Sequence, residues 1–89
     1  MSLAVVEQNE VKNRLAEVLK SVIQEMTSCD QIHVMFSSGE QTTIYQIVAP
    51  ASVRGKVIGI QGRNISTLRR LIYAMGKNHG FRAIIELVV

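Results

Sequence analysis

The chain is short of cysteine, proline and aromatic residues, and its second half holds almost no acid. Cys29 is the only cysteine. No intramolecular disulfide can form, and no set of thiolates is available for a zinc site. A lone thiol suits a reducing compartment, so a cytoplasmic location is expected, with Cys29 as a small, part-buried residue after a helix. One proline and six glycines exclude a low-complexity chain. No apolar run approaches the roughly 20 residues that span a bilayer. The N-terminus lacks a basic segment followed by an apolar one, so no signal peptide is expected. His33 has no second ligand at useful spacing, Met35 does not mark a metal site, and the two histidines, His33 and His79, fall in different elements. With no Ser/His/Asp, Cys/His or paired-carboxylate constellation, neither an enzyme nor a bound metal or cofactor is expected.

What is present fits one small globular domain: 89 residues, 47% hydrophobic and 19% charged. Residues 1–8 are set aside as flexible or vector-derived. The charges are unevenly placed. Residues 1–49 carry Lys12, Arg14 and Lys20 against six acids, whereas residues 50–89 carry Arg54, Lys56, Arg63, Arg69, Arg70, Lys77 and Arg82 against Glu86 alone. Such asymmetry fits a surface that faces a polyanion, and equally a solvated basic face with no partner.

Val11, Leu15, Val18, Leu19, Val22 and Met26 recur at helical spacing, with Lys12 among the charges outside the stripe and Asn9 as a candidate N-cap. Ile32, Val34 and Phe36 alternate with His33 and Met35, which predicts a strand. Ser38-Gly39-Glu40 is a turn, and Thr42 to Val48 is the return strand of a hairpin. Pro50 opens a short helix, "ASVRGKVI", with Val53, Val57 and Ile58 on one side. A second helix runs from Arg63 with Ile65, Leu68, Leu71, Ile72 and Met75 as its stripe, and Gly76 and Gly80 bracket a polar loop. "FRAIIELVV" is apolar on both faces, as in an interior strand or one covered by a partner. The order is helix, strand, strand, helix, helix, strand. The fold class is α+β, with helices packed on one face of a three-stranded sheet.

Gly59 and Gly62 stand two residues apart between the two short helices. Glycine reaches positive φ freely and leaves room for a close approach. The pair can therefore turn the chain sharply and leave backbone N–H groups exposed where the second helix begins, a place that attracts phosphate. Arg63 stands beside it. The spacing matches neither the dinucleotide fingerprint nor the nucleoside-triphosphate loop, which needs G-K-[ST] at its end.

"GKVIGIQGRNISTLR" resembles the signature of the KH domain, a glycine-bracketed tetrapeptide in a V-I-G-x-x-G-x-x-I frame followed by Leu-Arg. The element order resembles the bacterial type II arrangement, and the chain from about Asn9 to Val89 resembles the small stand-alone bacterial KH proteins of the KhpA-like family. The resemblance implies a mixed sheet whose last strand pairs in parallel with the hairpin. It implies a cytoplasmic RNA-binding module of post-transcriptional regulation that clamps about four nucleotides of single strand at the G-x-x-G loop. Bases would lie in a narrow groove between the first KH helix and the sheet. Gly55 would be a place of close backbone approach, and Ile58 and Ile65 an apolar lining. Arg69 would reach a base edge. Arg54, Lys56 and Arg63 would contribute positive charge along the strand, the last two at phosphates. Ile60-Gln61 departs from the basic residue usual between the two glycines, which leaves the clamp to backbone N–H groups and Arg63. Arg69 and Arg70 are adjacent, about 100° apart on a helix, so at most one should face a groove. With four aromatics, Phe36, Tyr45, Tyr73 and Phe81, base stacking is not an evident strategy. A second reading is a protein-interaction module that forms a homodimer or docks onto a second KH-containing protein, with weak or no RNA binding of its own.

Overall fold

A computed structural model describes residues 3–88, and the side chains of residues 6–88. Val89 and the first two residues of the segment set aside above lie outside the described residues. Three helices, one 3-10 turn and three strands follow one another as α1 (Leu3–Thr27), β1 (His33–Ser38), β2 (Thr42–Val48), α2 (Ala51–Ile58), the turn Ile60–Gly62, α3 (Arg63–Asn78) and β3 (Arg82–Val88). Among the described residues no helix is long and apolar enough to cross a membrane.

The sheet order is β1-β2-β3. β1 and β2 form the antiparallel hairpin, in register Phe36↔Tyr45 and Val34↔Ile47. β3 lies parallel to β2, Tyr45 opposite Ile85. A parallel return needs a crossover, and α2, the turn and α3 supply it. This α-β-β-α-α-β mixed sheet with three helices has the type II KH arrangement. β3 is an edge strand, not an interior one, because β2 takes the centre. The core runs between one sheet face (Thr43, Tyr45, Ile47, Ala83, Ile85) and the helices (Leu15, Leu19, Ile23, Val57, Leu68, Ile72). The other face keeps Met35 exposed and Ile44 and Ile84 half-buried.

α1 begins at Leu3, so Asn9 lies within the helix and does not cap it. Its inner face is rotated from the expected stripe. Lys12, Leu15, Ala16, Leu19, Ile23 and Thr27 are buried, whereas Val18 is exposed. Lys12 is tolerated inside because its amine donates to Ser38 Oγ at 3.0 Å and sits 5.1 Å from the centroid of the Phe81 ring. Tyr45, wholly buried at the centre, donates its hydroxyl to the Lys12 carbonyl at 3.0 Å.

The end of α3 also differs from expectation. Lys77 and Asn78 are helical, and Gly76 is a buried helix residue, not a cap. A Cβ on Gly76 would stand 2.8 Å from the Ala83 Cβ and 3.0 Å from the Phe81 carbonyl oxygen, so its bareness lets α3 cross close over β3. The helix stops through a Schellman motif. The Phe81 N–H donates to Gly76 O at 3.0 Å and the Gly80 N–H to Lys77 O at 3.1 Å, with Gly80 at φ 87°. Leu71, expected in the stripe, is exposed, while Ile65, Leu68 and Ile72 are buried.

Candidate functional site

The two glycines do what their spacing predicts. Gly59 has φ 76° and ψ 173°, Gly62 has φ 72° and ψ 17°, and α2 and α3 meet at that bend. Gln61 is also left-handed, at φ 56° and ψ 27°, although it has a side chain. No side chain caps the start of α3. The Gly62 N–H donates to Gly59 O at 3.1 Å and the Arg63 N–H to Ile60 O, so the 3-10 turn takes up these two donors, while the positive end of the α3 dipole lies beside exposed Lys56 and Arg63.

Gly55, Lys56, Gly59, Ile60 and Arg63 line one cleft of about 480 Å³, together with Met26 from α1 and Asn64. Neither of the last two was expected at a site: Met26 reads in the sequence as part of the apolar stripe of the first helix. Asn64 donates through Nδ2 to the Lys56 carbonyl at 2.9 Å, tying the first turn of α3 to the last turn of α2. It fills the space beside Gly59, where a Cβ would stand 2.6 Å from the Asn64 Cγ. The only advance signal was an amide-bearing residue just after the second glycine. Ile60, at the tip, is 82% exposed, the most open large apolar side chain among those described. Gln61 is exposed beside it. Gly55 faces open space: nothing in the protein lies within 4 Å of the Cβ it lacks.

The other expected residues are spread out. Ile65 is buried in the core beneath the turn. Ile58 is 37% exposed at the end of α2. Arg54 turns back toward the end of β2, its Nη2 3.4 Å from the Ala49 carbonyl and its Nε buried without a partner. Arg69 lies in a second cleft, of about 390 Å³, with Arg70, Tyr73, Ala83, Ile84 and Ile85. This second cleft lies between α3 and β3, apart from the one at the bend. Both arginines line it. The 100° between them on the helix is spanned by their long side chains.

The bend can hold an anion through the dipole of α3 and two flanking cations. The α3–β3 groove can take a flat apolar group beneath two guanidinium groups.

Comparison with known proteins points the same way. A protein-family model described as "KhpA/KhpB, KH domain" matches residues 12–87. The chain is 28% identical to the RNA-binding protein KhpA of Clostridium acetobutylicum over 75 residues, 83% of this chain and 100% of the relative. It is 29% identical to that of Aquifex aeolicus over 75 residues, 83% of this chain and 95% of the relative. It is 24% identical to that of Chlamydia caviae over 78 residues, 88% and 96%. No solved structure matches the chain. With the matched segment running from the first turns of α1 to the end of β3, and the G-x-x-G bend in its expected place, the chain belongs to the KhpA/KhpB KH-domain family, a non-enzymatic one.

Proposed function

We propose that this protein binds single-stranded RNA, holding the sugar-phosphate backbone at the Gly59–Gly62 bend and bases in the adjoining cleft, where Met26, Gly55 and Ile60 supply an apolar lining. One observation carries the reading: an uncapped helix start, bent open by left-handed Gly59, Gln61 and Gly62, is flanked by exposed Lys56 and Arg63. Such an end attracts phosphate. The relatives named as RNA-binding proteins support it. Gly55 leaves the backbone of α2 bare beside the bend, so a strand can approach closely there. Ile60 and Gln61 bring no charge, so the clamp relies on the dipole of α3 and its flanking cations.

The test is binding of a mixed single-stranded RNA pool at two salt concentrations, beside the double variant Ile60→Asp/Gln61→Asp. Two carboxylates at the tip would repel the phosphate, and aspartate tolerates the left-handed conformation at position 61. The expected outcome is salt-sensitive binding by the parent and none by the variant, with native circular dichroism in both. Undiminished binding by a folded variant would place the site elsewhere.

A second reading, docking onto another copy or another KH protein, draws on β3. It is an edge strand with Ile84, Leu87 and Val88 only half-buried. Unpaired strand edges readily accept another chain. A dimer seen by sedimentation at RNA-free, micromolar concentration would support it.

A further inference from the structure

Of the four aromatic side chains, Tyr45 and Phe81 are buried, Phe36 is half-buried with its ring tilted 44° to that of Tyr45 at 5.8 Å between centroids, and Tyr73 alone is exposed, at 45%. Tyr73 stands on α3 eleven residues past Gly62, about 16 Å along the helix at 1.5 Å per residue. It is the wall shared by two clefts. One is the α3–β3 groove with Arg69 and Arg70. The other, about 370 Å³, is lined by Gln41, Lys77, Gly80, Phe81 and Arg82. No carboxylate lines either cleft. A solvent-facing ring therefore sits among four exposed cations, beyond the reach of the bend itself.

We propose that the Gln41–Tyr73–Lys77–Arg82 cleft is a further nucleotide subsite, in which Tyr73 stacks on a base and Lys77 and Arg82 hold the flanking phosphates. The inference rests on the RNA reading of the bend and extends the footprint past the segment the bend holds. The chemistry selects a ligand with both a π-face and negative charge. Every base stacks on an aromatic ring, and guanidinium and ammonium groups meet phosphate. The Gln41 amide adds a donor and an acceptor for a base edge or ribose. A second copy of this chain is the poorer occupant. In a two-fold interface the same patch meets itself, which would set Arg69, Arg70, Lys77 and Arg82 against their own duplicates.

The experiment compares mixed-sequence RNA oligomers of about four and about ten nucleotides, each titrated with parent, Tyr73→Ala, Tyr73→Phe and Lys77→Ala/Arg82→Ala proteins. The expected result is that Tyr73→Ala leaves the short oligomer unaffected and weakens the long one about tenfold. Tyr73→Phe, which keeps the ring, restores binding. The double cation variant flattens the salt dependence of the long oligomer alone, by about 0.7 in log–log slope per phosphate lost. The longer oligomer's extra binding registers raise its affinity equally in every variant, so the comparison is between proteins. Equal losses at both lengths would show that Tyr73 acts through the fold, and no loss at either would show that the cleft is empty of RNA. Both outcomes overturn the subsite while leaving the bend intact. If no loss is joined by a change in sedimentation, the patch is a contact between copies. Failure of the parent to bind either length overturns the bend and the subsite together.

Discussion

Gln61, like Ser28, has a left-handed backbone although it carries a side chain. A residue with a Cβ pays roughly 1–2 kcal/mol to sit in the left-handed region, and Gln61 sits there at φ 56°. Glycine at 61 would relieve that strain, offset in part by the greater freedom it gives the unfolded chain, about 0.5–1 kcal/mol. Gln61→Gly is therefore expected to stabilise the protein by about 0.5–1 kcal/mol, read as a higher denaturant midpoint at unchanged slope. An unchanged or lower midpoint would mean that the glutamine side chain gains something at the tip that offsets its backbone. Gly59, by contrast, tolerates no side chain, because Asn64 already occupies the space.

Among the elements, the two glycines inside helices give opposite expectations. Gly55 in α2 has no neighbour where its side chain would be, and Gly76 in α3 would press Cβ on Cβ against Ala83. A buried overpacking of this kind costs about 1–3 kcal/mol, so Gly76→Ala should lower thermal stability despite alanine's better helix propensity. Gly55→Ala should raise stability by about 0.5–1 kcal/mol and, on the function proposed above, weaken RNA binding by filling open space beside the bend. Calorimetry on the pair, with anisotropy on the second, checks both. The element order was legible in the sequence because periodicity switches cleanly from 3.6 to 2 and back, and because Pro50, Gly59 and Gly62 punctuate the crossover. The details that escaped depend on partners remote in the chain. Lys12 is buried because Ser38 and Phe81 receive it. Gly76 reads as a cap until Ala83 is laid beneath it. The doubly apolar pattern of β3 suits an interior strand or one covered by a partner, and the sheet order overturns only the first, because pairing order is not written in a strand's own residues. The bend itself was legible, since its glycines act locally. Asn64 and Met26 were not, because their value lies in what they touch across the turn.

For the molecule as a whole, Tyr45 links the central strand to α1 and sets a limit on alkaline stability. Burial pushes its phenol from 10.0 up to about 12. The folded protein thus keeps a proton that the unfolded chain releases. The stabilisation is fully present below pH 10 and is lost as pH rises from 10 toward 12. Urea unfolding as a function of pH should show that decline. Tyr45→Phe should remove this part of it, at a cost of about 1 kcal/mol at neutral pH for the missing hydrogen bond to Lys12 O. An alkaline slope identical in the variant would assign the decline to other groups.

The parallel pairing of β3 with β2 has a consequence in time. Thr42 lies beside Arg82, so the whole crossover, the bend included, is looped out between them when that pairing closes. The β1–β2 hairpin needs only its own short turn, whereas the crossover must close a loop many times longer, and contacts far apart in sequence form late. The Gly59–Gly62 bend closes on contacts local to it, whereas the cleft of Arg69, Arg70 and Tyr73 needs β3 as its second wall. A nascent chain that has not yet delivered Arg82–Val88 therefore carries the bend without the cleft beside α3.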